Sequence, residues 1–120
     1  MTTQGIGEAS PGRKGKRVFL SLGSNLGDRQ EYLRAAREAL SALPATRVVA
    51  VSRIYETAPQ GVEDQDLFLN QVVCLETGLQ PLDLLYECQR IEREHGRART
   101  LRFGPRTLDI DILLFQDTES

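Results

Sequence analysis

Residues 97–115 read R-A-R-T-L-R-F-G-P-R-T-L-D-I-D-I-L-L-F. Arg97, Arg99, Arg102 and Arg106 crowd the first half, Gly104-Pro105 interrupts it, and Asp109 and Asp111 stand one residue apart inside the apolar run that follows. Alternate side chains of a β-strand share a face. A strand over 106–115 therefore puts Asp109 and Asp111 on one side, about 7 Å apart by the strand rise. Leu108, Ile110, Ile112 and Leu114 turn to the other side and enter a core, while Leu113 and Phe115 fall on the aspartate side. Two carboxylates held side by side repel and lose solvation, so a positive group is expected between them. The arginines upstream can hold an anion beside it. Carboxylates, a hard cation and a polyphosphate are the grouping of magnesium–nucleotide chemistry. An acidic pair on the solvated face of an edge strand is the competing reading, and the pattern alone leaves both open.

Outward from that strand, the chain supplies the partners a sheet needs. R-V-F-L-S-L at 17–22 is a short apolar strand closed by the turn signal Gly23-Ser24-Asn25. Asp28 caps a helix over 29–42, with Leu33, Ala36, Leu40 and Leu43 on its inward face, and Pro44 ends it. Residues 47–55 are rich in β-branched side chains and predict a second strand. Residues 56–66 hold Pro59 and Gly61 among acids and amides, a loop longer than a plain hairpin needs. Residues 67–77 predict a third strand. Pro81 opens a helix that turns Leu84, Leu85, Cys88 and Ile91 inward, with Gly96 as its C-terminal cap. A second loop over 97–105 leads to the last strand. The order β-α-β-β-α-β is the ferredoxin-like arrangement, an α+β fold with an antiparallel sheet and both helices on one face. The other face is left to Asp109, Asp111 and the two long loops.

Composition narrows the class. The 120 residues make one domain, 17–120, after a tail over 1–16 rich in Gly, Ser, Thr and Lys that lacks apolar periodicity. A net charge of −2 argues against a dedicated nucleic-acid binder, and the local arginine zone suits a small anion better than a long polyanion. Cys74 and Cys88 lack metal-ligand spacing and read as buried thiols of a cytoplasmic protein. His95, the single histidine, lies at a helix end, where capping and catalysis are both open to it. No apolar run is long enough for a membrane span.

Several further strings carry a resemblance. They are L-G-S-N-L-G-D at 22–28, Y-E-T-A-P-Q-G at 55–61, F-L-N at 68–70, Q-R-I-E at 89–92, G-R-A-R at 96–99 and F-G-P-R-T-L-D-I-D at 103–111. Together, over 18–115, the chain resembles the 6-hydroxymethyl-7,8-dihydropterin pyrophosphokinases of folate biosynthesis. The resemblance implies magnesium-dependent transfer of pyrophosphate from ATP to the pterin hydroxymethyl group, with release of AMP. It implies two Mg2+ ions on Asp109 and Asp111, and catalytic roles for Arg97, Arg99 and Arg106 beside the aspartates. ATP would contact Gln89, Glu92, Arg97, Arg99, Arg106 and Ile112. The pterin would lie against Thr57, Pro59, Gln60, Phe68, Asn70 and Phe103. The residue types suit these tasks: phenyl rings stack a flat heterocycle, and an amide offers both a donor and an acceptor to its edge. For Phe68 and Phe103 the plainer reading is core packing, and for Thr57 and Asn70 it is turn or edge hydrogen bonding. The G-S-N-L-G turn lacks the G-K-[ST] ending of a phosphate-cradling loop and reads as tight strand-to-helix geometry.

The partners expected are thus two small molecules, with no nucleic acid and no membrane, around a monomer. The family continues past the last strand where this chain ends at Ser120. The expectation is a shortened member with weakened turnover and a tendency to self-associate through Leu113 and Phe115. Two other classes remain open from sequence: a nucleotide- or pterin-binding relative with weak catalysis, and an RNA-binding module of the same topology.

Overall fold

The computed structural model describes residues 15–58, 67–95 and 107–117. Its elements are β1 (Lys16–Ser24), α1 (Arg29–Ser41), β2 (Thr46–Val51), β3 (Tyr55–Thr57), β4 (Phe68–Thr77), α2 (Pro81–Glu94) and β5 (Asp109–Asp117). The sheet runs β2-β4-β1-β5 with every neighbour antiparallel, and the short β3 also pairs with β4. This is the expected ferredoxin-like α+β arrangement. Lys16, assigned to the tail from sequence, instead opens β1 opposite Thr77. Residues 1–14, and the expected cap Gly96, lie outside the described residues.

The local signals act as their chemistry dictates. Asp28 accepts a hydrogen bond from the Glu31 backbone N–H at 3.2 Å and caps α1. Gly27, at φ 76°, makes the turn before it; a Cβ there would be strained by the backbone and would meet the Tyr32 ring at 3.2 Å. Leu33, Ala36 and Leu40 of α1 and Leu84, Cys88 and Ile91 of α2 close over Val18, Leu20 and Leu22 of β1 and Leu69, Val73 and Leu75 of β4 in one core. Each such fully buried leucine contributes about 1.5–3 kcal/mol through removal of apolar surface from water. The opposite face of the sheet carries Phe19, Ser21 and Gly23 of β1 and their partners in β4 and β5.

Three sequence expectations are corrected. The strand expected over 47–55 breaks at Ser52 into β2 and β3. Ser52 stays on β4 through its N–H to the Val72 carbonyl at 2.8 Å, while its hydroxyl accepts the Val72 N–H at 2.9 Å, so a side chain occupies a position in the ladder and the path jogs. Leu85 does not turn inward and is 38% exposed. The buried stripe of α2 is Leu84, Cys88, Ile91 and Glu92, rotated so that the Glu92 carboxylate reaches the backbone of β5. Finally, β5 carries a bulge. Leu20 pairs with Ile112 but Phe19 pairs with Leu114, so Leu113 is an extra residue and the alternation reverses past it. Leu114 therefore joins the aspartate face, 53% exposed, and Phe115 turns to the helix side and packs against the core.

Candidate functional site

On the face away from the helices, one row crosses three strands. Gly23 of β1 lies opposite Asn70 of β4 on one side and Asp109 of β5 on the other. The next row has Ser21 between Val72 and Asp111. Asn70 and Asp109 are thus two strand spacings apart, about 10 Å, the scale of a flat two-ring heterocycle. At the far edge β3 adds Thr57 opposite Phe68 and Tyr55 opposite Asn70.

The floor between the amide and the carboxylate is kept low by a glycine. A Cβ on Gly23 would stand 3.3 Å from Asn70 Oδ1 and 3.6 Å from Phe68 Cδ1. Sequence reading assigned this glycine to a turn; it is instead a strand residue, as its place at the end of an apolar run could have signalled. Asn70 is half-buried, and its Nδ2 donates to Thr57 Oγ1 at 2.8 Å. Phe68 is half-buried beside it. So Thr57, Phe68 and Asn70, which the resemblance assigns to one ligand, lie together at this end of the row. Pro59, Gln60 and Phe103, assigned to the same ligand, lie outside the described residues.

On the other side, Asp109 is half-buried and Asp111 exposed, both on the open face, as the strand period requires. They flank Ile110, whose backbone N–H donates to Glu92 Oε2 at 2.7 Å. Glu92 is only 6% exposed. A carboxylate of α2 thereby takes the place that a neighbouring strand would hold on the edge of β5 and fixes the segment that aims the aspartates. Ile112 packs against the core from the helix side, and Gln89 is exposed on α2. The structure does not bring Gln89, Glu92 and Ile112 onto the aspartate face: Ile112 turns to the helix side of β5, and Gln89 and Glu92 belong to α2. Arg97, Arg99 and Arg106 lie outside the described residues.

Elsewhere the titratable groups read as structural. Burial pushes the Cys88 thiol up to about 12, helped by the negative Glu92 and Glu87, and burial also raises Cys74. Both cysteines are free and neither is an activated nucleophile. His95 caps α2: its Nδ1 lies 2.7 Å from the Ile91 carbonyl, and its ring meets Tyr32 edge-on. Arg47 and Arg17, bonded to Glu76 across the open face, hold its carboxyl below the usual carboxylate range. Asp109 and Asp111 on the open face oppose the RNA-binding reading, since two carboxylates there would repel a phosphate backbone. Among the described residues, no helix is long and apolar enough to cross a membrane.

Sequence comparisons bear on this geometry. The profile of the 7,8-dihydro-6-hydroxymethylpterin-pyrophosphokinase family matches residues 19–118. A 2-amino-4-hydroxy-6-hydroxymethyldihydropteridine pyrophosphokinase of Pseudomonas aeruginosa is 55% identical over 100 residues, covering 83% of this chain and 62% of the relative. Its counterpart by name in Bacillus subtilis is 54% identical over 98 residues, covering 82% of this chain and 59% of the relative. A folic acid synthesis protein of Schizosaccharomyces pombe is 45% identical over 104 residues, which cover 87% of this chain and 14% of that protein. The chain thus spans about three-fifths of the length of the two bacterial relatives.

Proposed function

The chain belongs to the 7,8-dihydro-6-hydroxymethylpterin-pyrophosphokinase family, and on that premise we propose that it acts in folate biosynthesis, transferring pyrophosphate from ATP to 6-hydroxymethyl-7,8-dihydropterin. The observation that carries this reading is the Gly23 row, with a hydrogen-bonded amide at one end and an aspartate pair at the other. The amide end suits the pterin. Phe68 offers a ring face, Asn70 and Thr57 offer polar atoms to the heterocycle's edge, and Gly23 lets the ring lie against the sheet. Pro59, Gln60 and Phe103 would complete that pocket.

The carboxylate end suits a hard cation. Asp109 and Asp111 supply oxygen ligands on one face, and phosphate oxygens and water would fill the rest of the shell. Two Mg2+ ions bound there would neutralise polyphosphate charge and favour ionisation of the attacking alcohol. The hydroxymethyl oxygen attacks the β-phosphorus, the bond from that phosphorus to the α–β bridging oxygen breaks, and AMP leaves with that oxygen. The protein's part is to hold the two reactants in line. Arg97, Arg99 and Arg106 would grip the phosphates, with Gln89 and Ile112 contributing to the nucleotide side behind the edge strand. Glu92 would serve that side through the backbone of β5. Free thiols support a cytoplasmic setting, and both partners are small molecules.

The direct test is AMP release from ATP by the purified 120-residue protein. Release that requires both the dihydropterin and magnesium supports the reading. ATP consumption indifferent to the pterin, or binding of both ligands without AMP, would replace it with hydrolysis or with a binding role.

A further inference from the structure

Gln71 occupies an inward position of β4, between Leu69 and Val73, where the pattern calls for an apolar side chain. It is 5% exposed. A buried amide is costly unless its groups are bonded, and here they are bonded in a line. Arg37 Nη1 of α1 donates to Gln71 Oε1 at 2.7 Å, and Gln71 Nε2 donates to the Ser52 carbonyl at 2.6 Å. Ser52 is the joint between β2 and β3, already clasped to Val72 through its N–H and its hydroxyl. A chain of hydrogen bonds thus runs from a cation on the helix layer, through the sheet's buried side, to the joint where this edge of the sheet passes from β2 to β3.

What hangs from that joint is β3. It is three residues long, its side chains are all exposed, and among the described residues it pairs only with the start of β4. So short and unburied a strand has little packing of its own, and its placement is set by the joint that precedes it and the ladder beside it. Thr57, its last residue, receives the hydrogen bond of Asn70. Asn70 and Gln71 are consecutive and face opposite sides of β4, so one amide addresses Thr57 directly while the other holds the root of Thr57's strand.

We propose that Arg37, acting through Gln71 and Ser52, is a positioning residue for the dihydropterin half of the site and not for the nucleotide half. This rests on the function proposed above. Arg37 touches no reactant; it sets where β3 presents Thr57 to Asn70.

The test compares two ligands and two segments in Arg37→Met, Arg37→Lys and Gln71→Met. Dihydropterin affinity, read by the intrinsic fluorescence of the pterin with a magnesium-bound, non-hydrolysable ATP analogue present, falls about three- to tenfold in Arg37→Met and Gln71→Met, as loss of one or two hydrogen bonds predicts. Arg37→Lys, which keeps a donor, recovers part of it. Affinity for the ATP analogue alone stays within about twofold, well under one hydrogen bond's worth. Backbone hydrogen exchange speeds up at 52–57 and not at 107–112. A folded Arg37→Met with unchanged pterin affinity overturns the proposal, as does equal loss of both ligands or exchange that rises evenly along the chain. If Arg37→Met does not fold, an even rise of exchange in Arg37→Lys has the same force. A wild-type protein that binds no dihydropterin would sink the proposed function, while leaving the exchange contrast to decide whether the hydrogen-bond chain holds β3.

Discussion

The two ends of the Gly23 row are held in opposite ways. At the amide end, polar groups are bonded to one another inside the protein: Asn70 to Thr57, Gln71 to Ser52, and the Arg37 cation to the neutral Gln71 amide. At the carboxylate end, two like charges share a face of an edge strand, whose backbone is held by the ladder to β1 on one side and by Glu92 at Ile110 on the other. Bonded dipoles are oriented before any ligand arrives. Paired anions cannot be satisfied by one another, so that end gains stability from a cation brought in. On the function proposed above, the amide end stands ready for the pterin, and the carboxylate end gains a counter-charge when metal and nucleotide bind.

That contrast can be broken at either end. The largest effect is expected from Asp111→Asn, which removes one of the two charges proposed to hold the cation. Pyrophosphoryl transfer should fall by on the order of a hundredfold or more, while thermal melting without magnesium stays level or rises through loss of repulsion. A marked drop in melting temperature of the metal-free variant would make the carboxylate structural. Next comes Glu92→Ala, which leaves the Ile110 N–H without its buried acceptor and should cost about 1–3 kcal/mol in urea unfolding. Wild-type stability in that variant would mean that the edge of β5 is held by something else.

Smaller effects sharpen the picture. Gly23→Ala sets a methyl group 3.3 Å from Asn70 Oδ1, so dihydropterin affinity should fall several-fold, with a stability change of about 1 kcal/mol or less. An equal fall for the nucleotide, measured by titration, would show that the glycine serves the row as a whole. Smallest is Glu76→Gln, which loses the ion pairs with Arg47 and Arg17 at 2.9 and 3.1 Å. Because the folded protein depresses the Glu76 carboxyl, its contribution is present above the ordinary carboxylate pKa and disappears as the pH falls through the lowered value. The variant should be less stable than wild type at pH 7 by under about 1 kcal/mol, as for partly exposed pairs, and the difference should vanish in acid. A gap that persists at the lowest pH would point to lost packing instead.

Much of this was legible in the sequence where a period repeats. Leu33, Ala36 and Leu40 declared the inner face of α1, and Asp109 with Asp111 declared a shared face whatever else β5 did. The unread features share a cause: each depends on one atom meeting another from far along the chain. The break at Ser52 lies in a run as strand-like as its neighbours and exists because a hydroxyl and the Gln71 amide compete with the ladder. Glu92 is a charged residue in a polar stretch, and only the exposed edge of β5 explains its burial. Leu113 differs in no way from the leucine beside it, so an alternation counted along the chain runs straight through the bulge and assigns Leu114 and Phe115 to the wrong sides.

The bulge also separates two reading frames within one strand. Before it, the phase of β5 is set by Gly23 and by the Glu92 clasp; after it, by Phe115 seated in the core and by the stacking of Lys16 over that ring at 6.0 Å. A residue gained or lost beyond Leu113 can be taken up at the bulge without turning the aspartates over, whereas in an unbroken ladder any such slip would send both carboxylates into the leucine core. Leu113 acts as an expansion joint, and the end of the strand is free to vary while the two aspartates stay in register.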